Sequence, residues 1–182
     1  QLTARAFVIA TGSRPAIPSV KGLHSADFLT NEKVFDLKER PNSLVIIGAG
    51  PIGCELGQAF SRLGSNVTII SSKSHILPKE EPEAARVVQK QFESEGINIL
   101  KEVRAEKVEV VDGKKQVTAG GKNIIVDEIL VAGGRLPNVE SLNLEVAGVE
   151  VGKPGIIVNE KLQTTNSKIY ACGDVIGGYQ FT

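Results

Sequence analysis

An apolar run, Leu-Val-Ile-Ile at 44–47, leads straight into Gly48-x-Gly50-x-x-Gly53 and then into Ile52, Leu56, Phe60 and Leu63 at helical spacing. Few patterns constrain a backbone so tightly. A buried strand must turn at Gly48, something must approach the chain at Gly50, and the helix must pack on the strand at Gly53. The first N–H groups of such a helix lack intrahelical partners and lie at the positive end of its dipole, so the pattern reads as a dinucleotide pyrophosphate site. Gly64 stops the helix before a second strand at 67–70.

Residues 80–95 read as a helix with Pro82 in its first turn and Gly96 just past its end, and residues 97–100 as a third strand. That order is a Rossmann-like βαβαβ parallel sheet, and the fold class is α/β. The pattern then changes. Residues 107–111, 114–119 and 123–126 alternate and are separated by Asp112-Gly113 and Gly120-Gly121, which predicts an antiparallel β-meander. A further apolar strand at 128–132 stops at Gly133-Gly134. Ahead of the fingerprint, residues 6–10 read as a short buried strand, 11–15 as loop and 32–40 as a short connecting helix closed by Pro41. Residues 156–158 and 168–172 read as strands, the second stopping at Gly173-Asp174.

The 182 residues carry 21 Lys and Arg against 21 Asp and Glu, so composition offers no basic face for nucleic acid or an anionic membrane. Small molecules and protein surfaces are the expected partners. No apolar run approaches the ~20 residues of a membrane span, and the opening residues lack the order of a signal peptide, so the expectation is a soluble cytoplasmic protein. The two cysteines, Cys54 and Cys172, are far apart and have no histidine at ligand spacing, which predicts neither a redox pair nor a metal site. Cys54 reads as a small buried thiol, with a helix-activated nucleophile as the sharper alternative. Cys172 reads as core. His24 and His75 read as loop residues, His75 being the one placed to approach a cofactor.

Ala10-Thr11-Gly12, the fingerprint at 48–55, the meander, residues 132–138 and residues 165–174 together closely resemble the pyridine nucleotide-disulfide oxidoreductases, in particular their mercuric reductase and dihydrolipoyl dehydrogenase branch. The resemblance covers the whole chain. It implies an FAD domain interrupted by an NAD(P)H domain: residues 1–40 end the first FAD segment, 41–155 form the NAD(P)H-binding domain and 156–182 begin the second FAD segment. The family's own FAD fingerprint, its CxxxxC pair and the dimerisation domain with a His–Glu pair are not found in these residues. The expectation is therefore a fragment that binds nucleotide without catalysing. Its parent, a homodimer, would pass hydride from NAD(P)H to FAD and on to a redox disulfide or another acceptor.

The resemblance implies that Gly48, Gly50, Pro51, Ile52 and Gly53 hold the NAD(P) pyrophosphate and that Glu55 lies near the nicotinamide, with no catalytic residue in the chain itself. On local chemistry alone, Glu55 is a first-turn acid that complements the helix dipole. Pro51 stands where some relatives carry a tyrosine gate. Gly134 and Arg135 match a second nucleotide contact, or else a surface loop, and Val103 lies near the adenine. Thr11, Gly12 and Asp174 fall on the FAD side, Asp174 accepting a hydrogen bond from the ribityl chain; by itself it reads as a turn residue after a strand.

An NAD-selecting fold places an acid at the end of the second strand, on the ribose 2′-OH. Here the strand ends in Ser71, Ser72 and Lys73. Hydroxyl donors and one cation in place of a carboxylate favour NADP over NAD, although a solvated loop lysine explains Lys73 nearly as well. Two other functions stay open on the residues: a non-catalytic nucleotide-sensing or interaction module, and a domain of an NADH oxidase or ferredoxin reductase-type flavoprotein.

Overall fold

The structure, a computed structural model, describes residues 3–178. Along the chain run β1 (Phe7–Ile9), β2 (Ser13–Pro15), β3 (Ser43–Ile47), α1 (Pro51–Arg62), β4 (Asn66–Ile70), α2 (Pro82–Ser94), β5 (Asn98–Leu100), β6 (Ala105–Val111), β7 (Lys114–Ala119), β8 (Lys122–Val126), β9 (Glu128–Val131), β10 (Arg135–Pro137) and β11 (Ile169–Ala171). They divide into two units: Pro15–Gly134, and the residues that flank it, up to Arg14 and from Arg135 on.

In the central unit β3 runs parallel to β4 on one side and β9 on the other, with β5 outside β4, giving the order β5-β4-β3-β9. Period-two alternation sorts the apolar side chains between two cores. Val45, Ile47, Ile70, Ile129 and Val131 pack with Val108, Val117 and Val126 of the meander β6–β7–β8. Leu44, Ile46, Val67, Ile69 and Leu130 pack with Cys54 of α1 and Phe92 of α2. A sheet covered on both faces needs strands that are apolar throughout, which is why residues 44–47 read as a continuous run. Each fully buried leucine or isoleucine here contributes about 2 kcal/mol. Helix α1 comes close because Gly57 leaves room: a Cβ there would stand 3.0 Å from Ile46 Cδ1 and 3.1 Å from Ile69 Cδ1.

The flanking unit is built differently. β1 pairs in parallel with β11, Val8 opposite Tyr170, and β2 lies beside β10. Its core is Leu144, Val149, Ile156, Ala171 and Val175. Gly155, at φ +145, lets the chain pass so near the Val175 carbonyl that a Cβ would run into it, and the Ile156 N–H donates to that carbonyl at 2.9 Å.

Four expectations are corrected. Residues 32–40 hold only a 3-10 turn, Val34–Asp36, because a single fully buried side chain, Val34, anchors it while Phe35 stays 79% exposed. Residues 156–158 form an isolated bridge, Val151 to Ile156, in place of a strand. β1 is largely exposed, with Phe7 and Val8 at 46% and 66%. The compact units break at Arg14/Pro15 and Gly134/Arg135. Bridges from Lys21 to Lys107 and Leu29 to Leu130 tie the earlier segment into the central unit, and Leu144 and Val149 join the flanking core. The two short strands β2 and β10 fall where loop was expected.

Candidate functional site

Three glycines between β3 and α1 carry three different constraints. Gly48 adopts φ +119 beside the Ala132 carbonyl, which a Cβ would strike, and its N–H donates to Ile70 O at 3.0 Å. At Gly53 a Cβ would strike the Gly48 carbonyl and stand 3.3 Å from Ile46 Cγ2. Gly50 is unlike both: its backbone, φ −78 and ψ −175, suits any residue, and nothing lies within 4 Å of the place a Cβ would take. Neither backbone geometry nor internal packing asks for glycine at position 50.

Gly50 is the N-cap of α1 and carries no side-chain cap, and Pro51 opens the helix. Proline sets φ for the first turn at no cost in hydrogen bonds, and the N–H groups of Ile52 and Gly53 are first-turn donors without intrahelical partners. Ile52 is half-buried, and Glu55 is exposed on the same helix.

Beyond β4, residues 71–73 lie against 100–103, although thirty residues separate them in sequence. Ser71 N–H donates to Leu100 O at 2.8 Å, Val103 N–H to Ser71 O at 3.1 Å and Glu102 N–H to Lys73 O at 3.1 Å. Val103 therefore stands beside the expected adenosine residues. The Ser71 hydroxyl is turned away: Ser71 is 2% exposed, its Oγ accepts from the Lys73 N–H at 3.1 Å and lies 3.2 Å from the Lys73 carbonyl. Ser72 and Lys73 are exposed. Of the three expected ribose-side groups, Ser71 shapes the turn while the other two face solvent. His75 is half-buried, and its Nδ1 lies 2.7 Å from the Ile76 carbonyl, so that nitrogen carries the proton.

A second cluster forms in the flanking unit. Ser13 Oγ donates to Asp174 Oδ2 at 2.6 Å and accepts from Arg135 Nε at 2.5 Å, while Arg135 Nη2 reaches Ser13 O at 2.9 Å. Arg135 Nε also lies 3.4 Å from Asp174 Oδ2. The guanidinium is thus grouped with Ser13 and Asp174. Asn138 holds the Thr11–Gly12 turn from three directions: its N–H donates to Gly12 O, its Nδ2 to Thr11 O, and its carbonyl accepts from Thr11 Oγ1. Ser13 and Asn138 were not among the expected site residues. Asn138 carried a signal, since it closes the Arg-Leu-Pro-Asn motif; Ser13 carried none.

Burial pushes the Cys54 thiol up to about 11, which makes it a protonated core residue and disposes of the activated nucleophile. Cys172 is half-buried. Among the described residues no cluster of His, Cys, Asp and Glu could hold a metal, and no helix is long and apolar enough to cross a membrane.

A parallel α/β sheet with a glycine-rich strand-to-helix turn, followed by an antiparallel meander, is a Rossmann-like α/β fold. The family described as pyridine nucleotide-disulphide oxidoreductase matches residues 1–182, and the chain belongs to that family. It is 44% identical to a mercuric reductase of Lysinibacillus sphaericus over 186 residues, all of this chain and 34% of that protein. It is 39% identical to a dihydrolipoyl dehydrogenase of Bacillus subtilis, over 95% of this chain and 38% of the relative. The HOCl-induced flavoprotein disulfide reductase RclA from Escherichia coli superposes with a TM-score of 0.90 at 32% identity, over 97% of this chain and 41% of that one. The chain thus spans about a third of the length of the curated relatives it matches.

Proposed function

We propose that this chain is the NAD(P)H-binding part of an FAD-dependent oxidoreductase. The turn at Gly48, Gly50, Pro51, Ile52 and Gly53 holds the pyrophosphate, with Glu55 toward the nicotinamide and Gly134 at a second contact. The observation that carries this reading is Gly50, a glycine that only an incoming group requires. Val103, Ser72 and Lys73 border the adenosine half. Thr11, Gly12 and Asp174 take the flavin side, with Asp174 held by Ser13 and Arg135 as a fixed acceptor. The chain's own activity is binding; in the whole enzyme the nicotinamide supplies hydride to the flavin, and the protein positions the rings and excludes water. Homodimerisation, a cytoplasmic location and a disulfide or other acceptor beyond the flavin belong to this reading of the whole enzyme.

NADPH is the favoured nucleotide. The two hydrogen-bonded segments bordering the ribose carry Lys73 and Lys101 against one acid, Glu102, and the buried Ser71 supplies no carboxylate. Calorimetric titration with NADPH and NADH at equal, moderate salt tests both levels. NADPH binding about tenfold tighter, and weakened about tenfold by Lys73→Glu, is expected; tenfold corresponds to about 1.4 kcal/mol. Tighter NADH binding overturns the cofactor choice, and binding of neither overturns the nucleotide site.

A further inference from the structure

Leu77 is one of the few non-glycine residues in the left-handed region, at φ +50, and a leucine stays there only where its surroundings over-determine it. What holds it is the fingerprint turn: the Leu77 N–H donates to the Ala49 carbonyl at 2.7 Å. The same carbonyl accepts from the buried Cys54 thiol at 3.5 Å. The Leu77 amide and the Cys54 thiol thus meet on one carbonyl beneath the turn. The raised thiol keeps its proton at neutral pH and so remains a donor.

A peptide unit is planar, and the bond between Ala49 and Gly50 is trans, so its C=O and N–H point in opposite directions. Two donors fastening the Ala49 carbonyl inward therefore aim the Gly50 N–H outward, on the residue whose Cα faces open space. We infer that Leu77 and Cys54 are positioning residues for the pyrophosphate, fixing the Ala49–Gly50 peptide so that its N–H meets the anion. This rests on the nucleotide-site reading above. Neither residue reaches the ligand; each acts through the Ala49 carbonyl. Because the pyrophosphate is common to both nucleotides, the effect is blind to the 2′-phosphate.

The test is calorimetric titration of the full chain and of Cys54→Ala and Cys54→Ser, with melting temperatures measured alongside. Wild-type binding establishes the site; its absence counts against the function, not against this device. With wild-type binding in hand, Cys54→Ala is expected to weaken NADPH and NADH by the same factor, about three- to tenfold. Cys54→Ser, which keeps a donor, is expected to stay within about twofold of wild type. Unchanged affinity in a folded Cys54→Ala chain, or a loss confined to NADPH, overturns the inference. Should Cys54→Ala fail to fold, amide hydrogen exchange on the wild-type chain decides: a Leu77 N–H protected in the free chain, and more so with nucleotide, supports it, while free exchange of that amide overturns it.

Discussion

The central unit and the flanking unit solve the same problem by different means. Residues 15–134 enclose a four-stranded sheet between two cores, one with helices and one with a meander, and many side chains there are fully buried. Among the described residues, the flanking unit gathers five buried apolar side chains and relies on polar ties: Thr11 with Asn138, Ser13 with Asp174 and Arg135, and a bidentate pair from Arg14 to Glu140 at 3.0 and 2.5 Å. Its leading strand leaves Phe7 and Val8 exposed. Burial scales with apolar area, whereas exposed polar ties contribute little each, so stability should reside in the central unit.

Substitutions can break this contrast. The largest effect is expected from Gly53→Val, whose side chain would be driven into the Gly48 carbonyl; the central unit should fail to fold, as lost helical circular dichroism would report. Leu130→Ala, at a position with no exposure in the sheet interior, should cost about 3 kcal/mol in urea unfolding. Asn138→Ala, which removes the Nδ2 tie to the Thr11 carbonyl and leaves the backbone ties in place, should cost about 1 kcal/mol and leave the central unit's transition in place. Equal losses from Leu130→Ala and Asn138→Ala would erase the distinction between the units.

Acid should act more evenly. Arg62, Gln91 and Gln58 hold the Glu95 carboxyl at about 2; Lys114 and Ser43 hold Asp127, and Arg14 holds Glu140, each also at about 2. A carboxyl lowered in the folded state stabilises it fully above its ordinary range and loses that contribution as pH falls toward its folded value. The melting temperature should therefore be flat above about pH 5 and decline between about pH 4.5 and 2, with Asp127→Asn blunting the decline. The smallest effect expected is on stability from Glu140→Gln at neutral pH, since an exposed pair is worth little.

How legible the molecule was from its sequence follows the same divide. The central sheet could be read because continuous apolar strands, helix starts with proline and glycine stops are local signals, and they fixed β3, α1, β4, α2 and the meander closely. The flanking unit resisted because its strands are three residues long and made by pairing across more than a hundred positions, as in β1 with β11, so the exposure of β1 and the pairing of β2 with β10 left no periodic trace. At the site, the glycines announced themselves by spacing. Ser71 looked available because hydroxyls favour ligands and turns alike, and only the fold shows its Oγ satisfied within its own loop. Leu77 offered no signal, since leucine in the left-handed region is contrary to propensity.

The central claim is that Gly50 is glycine for a ligand's sake. Gly50→Ala, followed by both thermal melting and NADPH titration, tests it directly. With no neighbour within 4 Å and a backbone that alanine adopts freely, the melting temperature should stay within about 2 °C of wild type, while NADPH affinity falls at least tenfold, about 1.4 kcal/mol. Unchanged affinity in the folded variant, or a melting temperature that falls as far as it does for Leu130→Ala, would contradict the account.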